Sequence, residues 1–262
     1  MANSSKWTVA QKEEGTFFDE HWAALVASGK IDLVIPPDED LFQQDLGRSL
    51  AYMAERLGDL QDCRVLEMGC GPGDFTIFLA RRGAIVEAID VAPSALKITR
   101  RRAEVNGVTE RVHTHLMPAE RLDFEEDVFD WVTGFGLLHH VDLELLGPEI
   151  HRVLKPGGRA LFREPLGTNP ILEFARRYLP YQSKYHSEHE RPLTYDDIEM
   201  LERWFQTTHV REFYLLSSVS RLMKGGEASP LFRFFYALDE FLLRRVPPLR
   251  PLCRYVVVEF GT

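Results

Sequence analysis

Residues 65–90, Val65-Leu-Glu-Met-Gly-Cys-Gly-Pro-Gly-Asp-Phe-Thr-Ile-Phe-Leu-Ala-Arg-Arg-Gly-Ala-Ile-Val-Glu-Ala-Ile-Asp90, decide the fold. An apolar run gives way to a glycine-rich turn, then to an amphipathic stretch, then to a second apolar run that ends in a carboxylate. That order is a strand, a turn, a helix and a strand: the first βαβ unit of a nucleotide-binding α/β fold. Gly69, Gly71 and Gly73 carry the turn. A dinucleotide fingerprint counted from Gly69 wants a small residue where Asp74 stands, and a phosphate-binding loop wants Lys-Ser/Thr, which is absent. A carboxylate at the helix start would repel a pyrophosphate. Glycine is still needed, because backbone must pass close to a ligand. Asp90, at the end of the second strand, suits two ribose hydroxyls. A nucleoside without phosphates is the ligand these residues imply.

The rest of the chain alternates in the same way. Strands are predicted at 63–68, 84–89, 111–116, 128–134 and 159–163, and helices at 74–82, 94–106 and 143–154. Strands alternating with helices imply a parallel sheet covered on both faces. Upstream, 16–30 and 40–58 read as helices, the second from Leu46, Leu50, Met53, Ala54 and Leu57 at helical spacing. Downstream, a helix is expected at 194–204 and strands at 209–216 and 254–260. The division expected is a helical cap over 1–58 and a ligand-binding unit over 59–262, with insertions at about 165–192 and 217–250.

The motif Glu-x-Gly-x-Gly-x-Gly (67–73) followed by Asp90 resembles that of the class I S-adenosylmethionine (SAM)-dependent methyltransferases, near the ubiquinone/menaquinone-type and natural-product enzymes. FDWVTGFGLLHHV (129–141) is similar to the family's fourth-strand region, and EIHRVLKPGGRALFREP (149–165) to its helix, Lys-Pro-Gly-Gly turn and fifth strand. The resemblance implies an α/β, Rossmann-like, doubly wound and mostly parallel seven-stranded sheet, with N-terminal helices and helical insertions after strands 5 and 6. It also implies SAM as cofactor. On that reading Gly69, Gly71 and Gly73 let backbone approach the methionine part, and Glu67 helps to hold the ammonium. Asp90 takes the ribose, Val91, Ala119 and Glu120 meet the adenine, and Gly134 and Phe135 lie beside the sulfonium. One departure stands out: where relatives read Gly-Asp-Ala-Glu after strand 3, this chain has Met117-Pro118-Ala119-Glu120 and so lacks the usual acceptor for the adenine amino group.

Methyl transfer needs positioning more than a base, because the sulfonium is already activated. Base candidates are His139, Glu164, His186 and His189; the histidines of HSEHE (186–190) read first as a polar lid or loop pinned by ion pairs, and no metal site is expected. His140 reads as a packing or substrate-side residue rather than a base. Phe17, Phe18, Trp22, Tyr178, Tyr185 and Phe235, with His140, are the candidates for an aromatic acceptor pocket. The apolar stripe Leu231, Phe234, Phe235, Leu238, Phe241 and Leu242 reads first as packing, with a lid over the pocket, a homodimer surface or peripheral membrane contact as the alternatives.

The 262 residues, 45% hydrophobic and 27% charged, suit a chain with a full core. A net charge of −9 argues against nucleic acid as partner. No apolar run reaches the roughly 18–20 residues of a membrane span, and three cysteines without metal-ligand spacing fit a cytoplasmic protein. The expected activity is methyl transfer to a small, largely apolar or aromatic metabolite, O-methylation ahead of C- or N-methylation of an isoprenoid, lipid or quinone-like acceptor. A non-catalytic SAM-binding regulator is the alternative from another class.

Overall fold

The computed structural model describes residues 7–178, 191–218 and 226–262. Nine α-helices and seven strands occupy those residues. In chain order they are α1 (Val9–Ala27), α2 (Asp38–Leu41), α3 (Gly47–Leu57), β1 (Arg64–Met68), α4 (Asp74–Arg81), β2 (Ile85–Asp90), α5 (Pro93–Val105), β3 (Val112–Leu116), β4 (Phe129–Phe135), α6 (Leu143–Val153), β5 (Leu154–Pro165), α7 (Pro170–Tyr178), α8 (Tyr195–Glu202), β6 (Thr207–Phe213), α9 (Pro230–Arg245) and β7 (Tyr255–Gly261). The sheet runs β3-β2-β1-β4-β5-β7-β6. β7 is antiparallel to both neighbours, and the other pairings are parallel.

β1 and β4 are neighbours although two strands separate them in sequence, so the winding direction reverses between them. Such a reversal opens a crevice beyond the carboxyl ends of the strands. The central strands are buried along their middles and half-buried or exposed only toward their ends, as parallel strands covered on both faces must be. One face is covered by α3, α4 and α5, through residues such as Leu50, Met53, Phe78 and Leu96. The other is covered by α6 and α8, through Leu146, Ile150, Ile198 and Leu201.

α3 carries Leu50, Met53, Ala54 and Leu57 on its buried face, the spacing expected from sequence. Gly73 has φ +84 at the start of α4, and a Cβ there would lie 2.7 Å from the Thr99 side chain of α5. Gly73→Ala combines left-handed strain with a steric clash, and should cost about 2–4 kcal/mol. A lower urea midpoint with an unchanged slope is the expected reading.

Three expectations need correcting. The first helix runs from Val9, held by a capping box between Thr8 and Gln11, and not from residue 16. The 40–58 segment is two helices, broken where Leu46 adopts a left-handed conformation. In the last insertion the buried face of α9 is Phe232, Asp239 and Leu243, with Tyr236 packed against the core. Leu231, Phe234 and Phe241 of the expected stripe point outward instead. Asp239 is buried for a reason: its carboxylate accepts the backbone N–H groups of Leu215, Leu216 and Ser217, closing the turn after β6. No helix of the described residues is long and apolar enough to cross a membrane.

Candidate active site

A cavity of about 470 Å³ opens at the reversal point, a size within the usual range for small-molecule sites. Its floor is the turn after β1. Gly69 and Gly71 are left-handed, with φ +63 and +51; a Cβ on Gly69 would lie 2.9 Å from Leu137. Glu67, Gly69, Gly71, Asp90, Val91, Ala119, Glu120 and Phe135 all line the cavity. Gly73 and Gly134 stand behind that wall, where their missing side chains leave room for Thr99 and for Met68 and Phe162.

Asp90 is anchored at both oxygens: Oδ2 accepts the N–H of Gly71 and Oδ1 that of Ala92, each at 2.8 Å. Each oxygen keeps lone pairs for further donors. Burial raises the Asp90 carboxyl above its ordinary value, and the backbone donors oppose that. Glu67 sits deeper, with Thr76 Oγ1 donating to Oε2 at 2.5 Å. Burial pushes its carboxyl up to about 8, the charges of Asp74 and Asp90 adding to the effect. Between the ordinary carboxylate range and about 8 the folded chain therefore holds a proton that the unfolded chain has lost, and this contribution to stability falls as pH rises through that window. A cation arriving beside Glu67 must first release that proton. Binding of an aminoacyl ammonium should thus tighten, by at most roughly tenfold per pH unit, from pH ~6 to ~8. Titrations of S-adenosylhomocysteine across that range would show the slope in wild type and a flat profile in Glu67→Gln.

α1 forms the wall opposite the turn. Thr8, Gln11, Glu14, Phe18 and Trp22 recur at helical spacing and present one face to the cavity. The helix is tied down along its length. Gln11 Nε2 donates to Glu120 Oε2 at 3.0 Å, and Asp19 accepts the Ser94 N–H at 2.6 Å. Gly15 lets the helix come close, since a Cβ there would stand 3.0 Å from the Val91 carbonyl oxygen.

The two adjacent histidines have different surroundings. His139 is buried, with Nδ1 2.6 Å from Glu164 Oε2. Glu164 Oε1 accepts the N–H groups of Leu137 and Leu138 at 2.8 and 2.9 Å. Neither His139 nor Glu164 reaches the cavity wall. His140 does, and its Nδ1 lies 2.6 Å from Glu14 Oε1 of α1. The structure thus brings His140, expected on the substrate side, to the cavity, and places His139, expected as a base candidate, away from its wall. Phe18 packs edge-on against His140 at 5.5 Å. Phe17 lies behind Phe18, and Phe235 is half-buried in α9 against Phe234, both away from the cavity. Tyr185, His186 and His189, and the side chain of Tyr178, lie outside the described residues. No cluster of three or more metal-ligating side chains occurs among those described.

Sequence reasoning missed Glu14, which carries no local signal, and Phe75, which lines the cavity and stacks on Phe135 at 4.1 Å. It also passed over Arg163, legible as a charge at the end of the apolar run Ala160-Leu-Phe.

A mostly parallel seven-stranded sheet with β7 reversed, a left-handed glycine turn and an anchored acid at the end of β2 define a class I nucleoside-cofactor-binding fold. A methyltransferase-domain family model matches residues 65–158. The ubiquinone biosynthesis O-methyltransferase of Alkalilimnicola ehrlichii is 33% identical over 200 residues, 73% of this chain and 74% of that protein. Its counterpart from Xanthomonas oryzae is 35% identical over 153 residues, 55% of this chain and 62% of that one. Among solved structures, geranyl diphosphate C-methyltransferase from Streptomyces coelicolor superposes with a TM-score of 0.63 at 17% identity, covering 97% of this chain and 98% of the other, and so shares the fold. The chain belongs to the class I SAM-dependent small-molecule methyltransferases. It is an enzyme, and SAM is its cofactor. The cavity suits that group: a glycine cradle that a Cβ would fill, a buried acid with oxygens to spare, and a second acid deep in the floor.

Proposed function

We propose that the enzyme O-methylates a small, largely apolar or aromatic metabolite. The observation that carries this reading is the pair at the cavity wall, His140 with Glu14 on its Nδ1 at 2.6 Å. A hydroxyl acceptor benefits from losing its proton as the methyl is transferred. Glu14 fixes the imidazole tautomer that leaves His140 Nε2 as acceptor, and it stabilises the imidazolium formed when that proton arrives.

SAM, when bound, supplies the activated methyl group. Asp90 takes the ribose hydroxyls, Glu67 the ammonium, and the backbone at Gly69–Gly71 lies along the methionine part. Val91, Ala119 and Glu120 face the adenine. Gly134 and Gly73 shape the turn from behind. Phe135, stacked on Phe75, flanks the reacting centre, and Phe18 and Trp22 from α1 cover the acceptor. α1 excludes water, which strengthens the electrostatics inside. Within the expected 1–58 cap, α1 is the part that covers the cavity, while α3 packs on the sheet. The outward residues of α9, Leu231, Phe234 and Phe241, are the candidate surface for a homodimer or peripheral membrane contact.

C-methylation of an isoprenoid or quinone-like acceptor is the second reading, favoured by the whole-chain likeness to the Streptomyces enzyme. The test is a screen of phenols against matched methyl ethers and isoprenoids, with the product's methyl located by NMR. Label on oxygen supports the proposal, and label on carbon replaces it with the second reading.

A further inference from the structure

Arg163 and Phe135 are register partners at the carboxyl ends of β5 and β4, the edge of the sheet where ligands of this fold bind. The Arg163 guanidinium carbon lies 3.9 Å from the centre of the Phe135 ring. Phe75 stacks on the same ring at 4.1 Å. Two groups so close cannot share one ring face, so Phe135 is held between Phe75, on the cavity wall, and Arg163 beyond.

The Arg163 guanidinium has no hydrogen bond or ion pair to any described residue, and its Nε is shut off from solvent. The rest of the side chain is partly accessible. Nearby acids are engaged elsewhere. Glu164 is bound to His139 and to the Leu137 and Leu138 amides, and Asp45 lies 3.8 Å from Arg254. The Tyr214 hydroxyl accepts the Ser49 N–H at 3.2 Å. A guanidinium offers five donors in a fixed fork that matches carboxylate and phosphate oxygens. Leaving it enclosed without a partner is unfavourable, and burial indeed pushes it below its ordinary value. The chain carries a net charge of −9, so an anion would be repelled overall and needs a local cation to dwell here.

We propose that Arg163 receives an acidic group, a carboxylate or a phosphate ester, on the methyl acceptor. The acceptor's reacting end lies in the cavity beside His140, and its acidic end passes the edge of Phe135 to the guanidinium. This inference rests on the acceptor occupying the cavity described above, but it holds for transfer to oxygen or to carbon.

The test uses the full chain saturated with S-adenosylhomocysteine. Wild type, Arg163→Met and Arg163→Lys are titrated by calorimetry with 3,4-dihydroxybenzoate, its neutral methyl ester, and 4-hydroxyphenyl phosphate. In wild type one of the two acids should bind roughly 10- to 100-fold tighter than the ester, and which acid does so tells carboxylate from phosphate. Arg163→Met should erase the difference, and Arg163→Lys, which keeps charge without the fork, should retain part of it. S-adenosylhomocysteine affinity should match wild type in both variants, and the melting temperature should not fall in Arg163→Met, since an enclosed guanidinium without a partner is unfavourable. Equal affinities for acids and ester in wild type, no binding of either acid, or a preference that survives Arg163→Met would overturn the proposal. So would a drop in S-adenosylhomocysteine affinity in Arg163→Met, which would give the guanidinium to the cofactor's own carboxylate. Failure of wild type to bind S-adenosylhomocysteine at all would strike the cofactor site instead.

Discussion

Asp90→Ala should weaken binding of S-adenosylhomocysteine at least 100-fold while the chain stays folded. The expected loss has two sources. A charge-assisted hydrogen bond is worth about 1.5–3 kcal/mol, and the two ribose hydroxyls offer two such bonds. Asp90 also holds the Gly71 and Ala92 amides at 2.8 Å, so its removal frees the turn that the methionine part must lie against. Asp90→Asn keeps the shape but lacks the charge, and should fall between the two. Stability is a separate question: burial raises the Asp90 carboxyl above its ordinary value, but removing it leaves the Gly71 and Ala92 amides without their acceptor. Calorimetry beside a urea melt separates the two effects; an alanine variant that binds as tightly as wild type would remove Asp90 from the site.

The second large effect is expected at His140. General-base assistance contributes about two to four powers of ten in kcat. His140→Gln should lose that much with a hydroxyl acceptor and leave S-adenosylhomocysteine affinity unchanged. Glu14→Gln should lose less, about tenfold, since it keeps the hydrogen bond and gives up only the charge that stabilises the imidazolium. The loss in His140→Gln should shrink as pH rises and the acceptor ionises unaided. A structural role for His140 would instead lower activity by the same factor at every pH. The parallel pair His139→Gln is the contrast: with its ring locked to Glu164 behind the loop, it should lower stability more than kcat.

The βαβ unit was readable because every part of it is local: an apolar strand, the glycines that must turn left-handed, and an acid one strand later. Strand 5 was legible at its core but not at its beginning. β5 starts at Leu154, because Leu154 pairs with Phe129 before a register shift restores the ladder at Arg159. α9 was ambiguous since apolar residues occupy most of its circumference, and only the burial of Asp239 reveals which way it faces. The wall facing the glycine turn was legible in Phe18 and Trp22, but its polar part was hidden for another reason. Its cavity side carries Thr8, Gln11 and Glu14, which look like a solvated helix face. The partner of Glu14 is 126 residues away in sequence. A pairing of that range leaves no periodicity to detect. The histidine pair shows the same limit: two neighbours in sequence receive opposite surroundings from a carboxylate on β5 and one on α1.

α1 is tied to the rest of the molecule at Gln11, Glu14 and Asp19, and its aromatic side chains stand over the glycine turn. Those three fastenings hold one wall of the site in place. After each transfer the demethylated by-product is as well held as the donor was, since both share the same ribose, adenine and amino-acid parts. Each further turnover then also requires the by-product to leave past α1, and by-product left in solution competes with the donor. The enzyme will look sluggish in any vessel where the by-product accumulates and much faster beside a hydrolase that clears it.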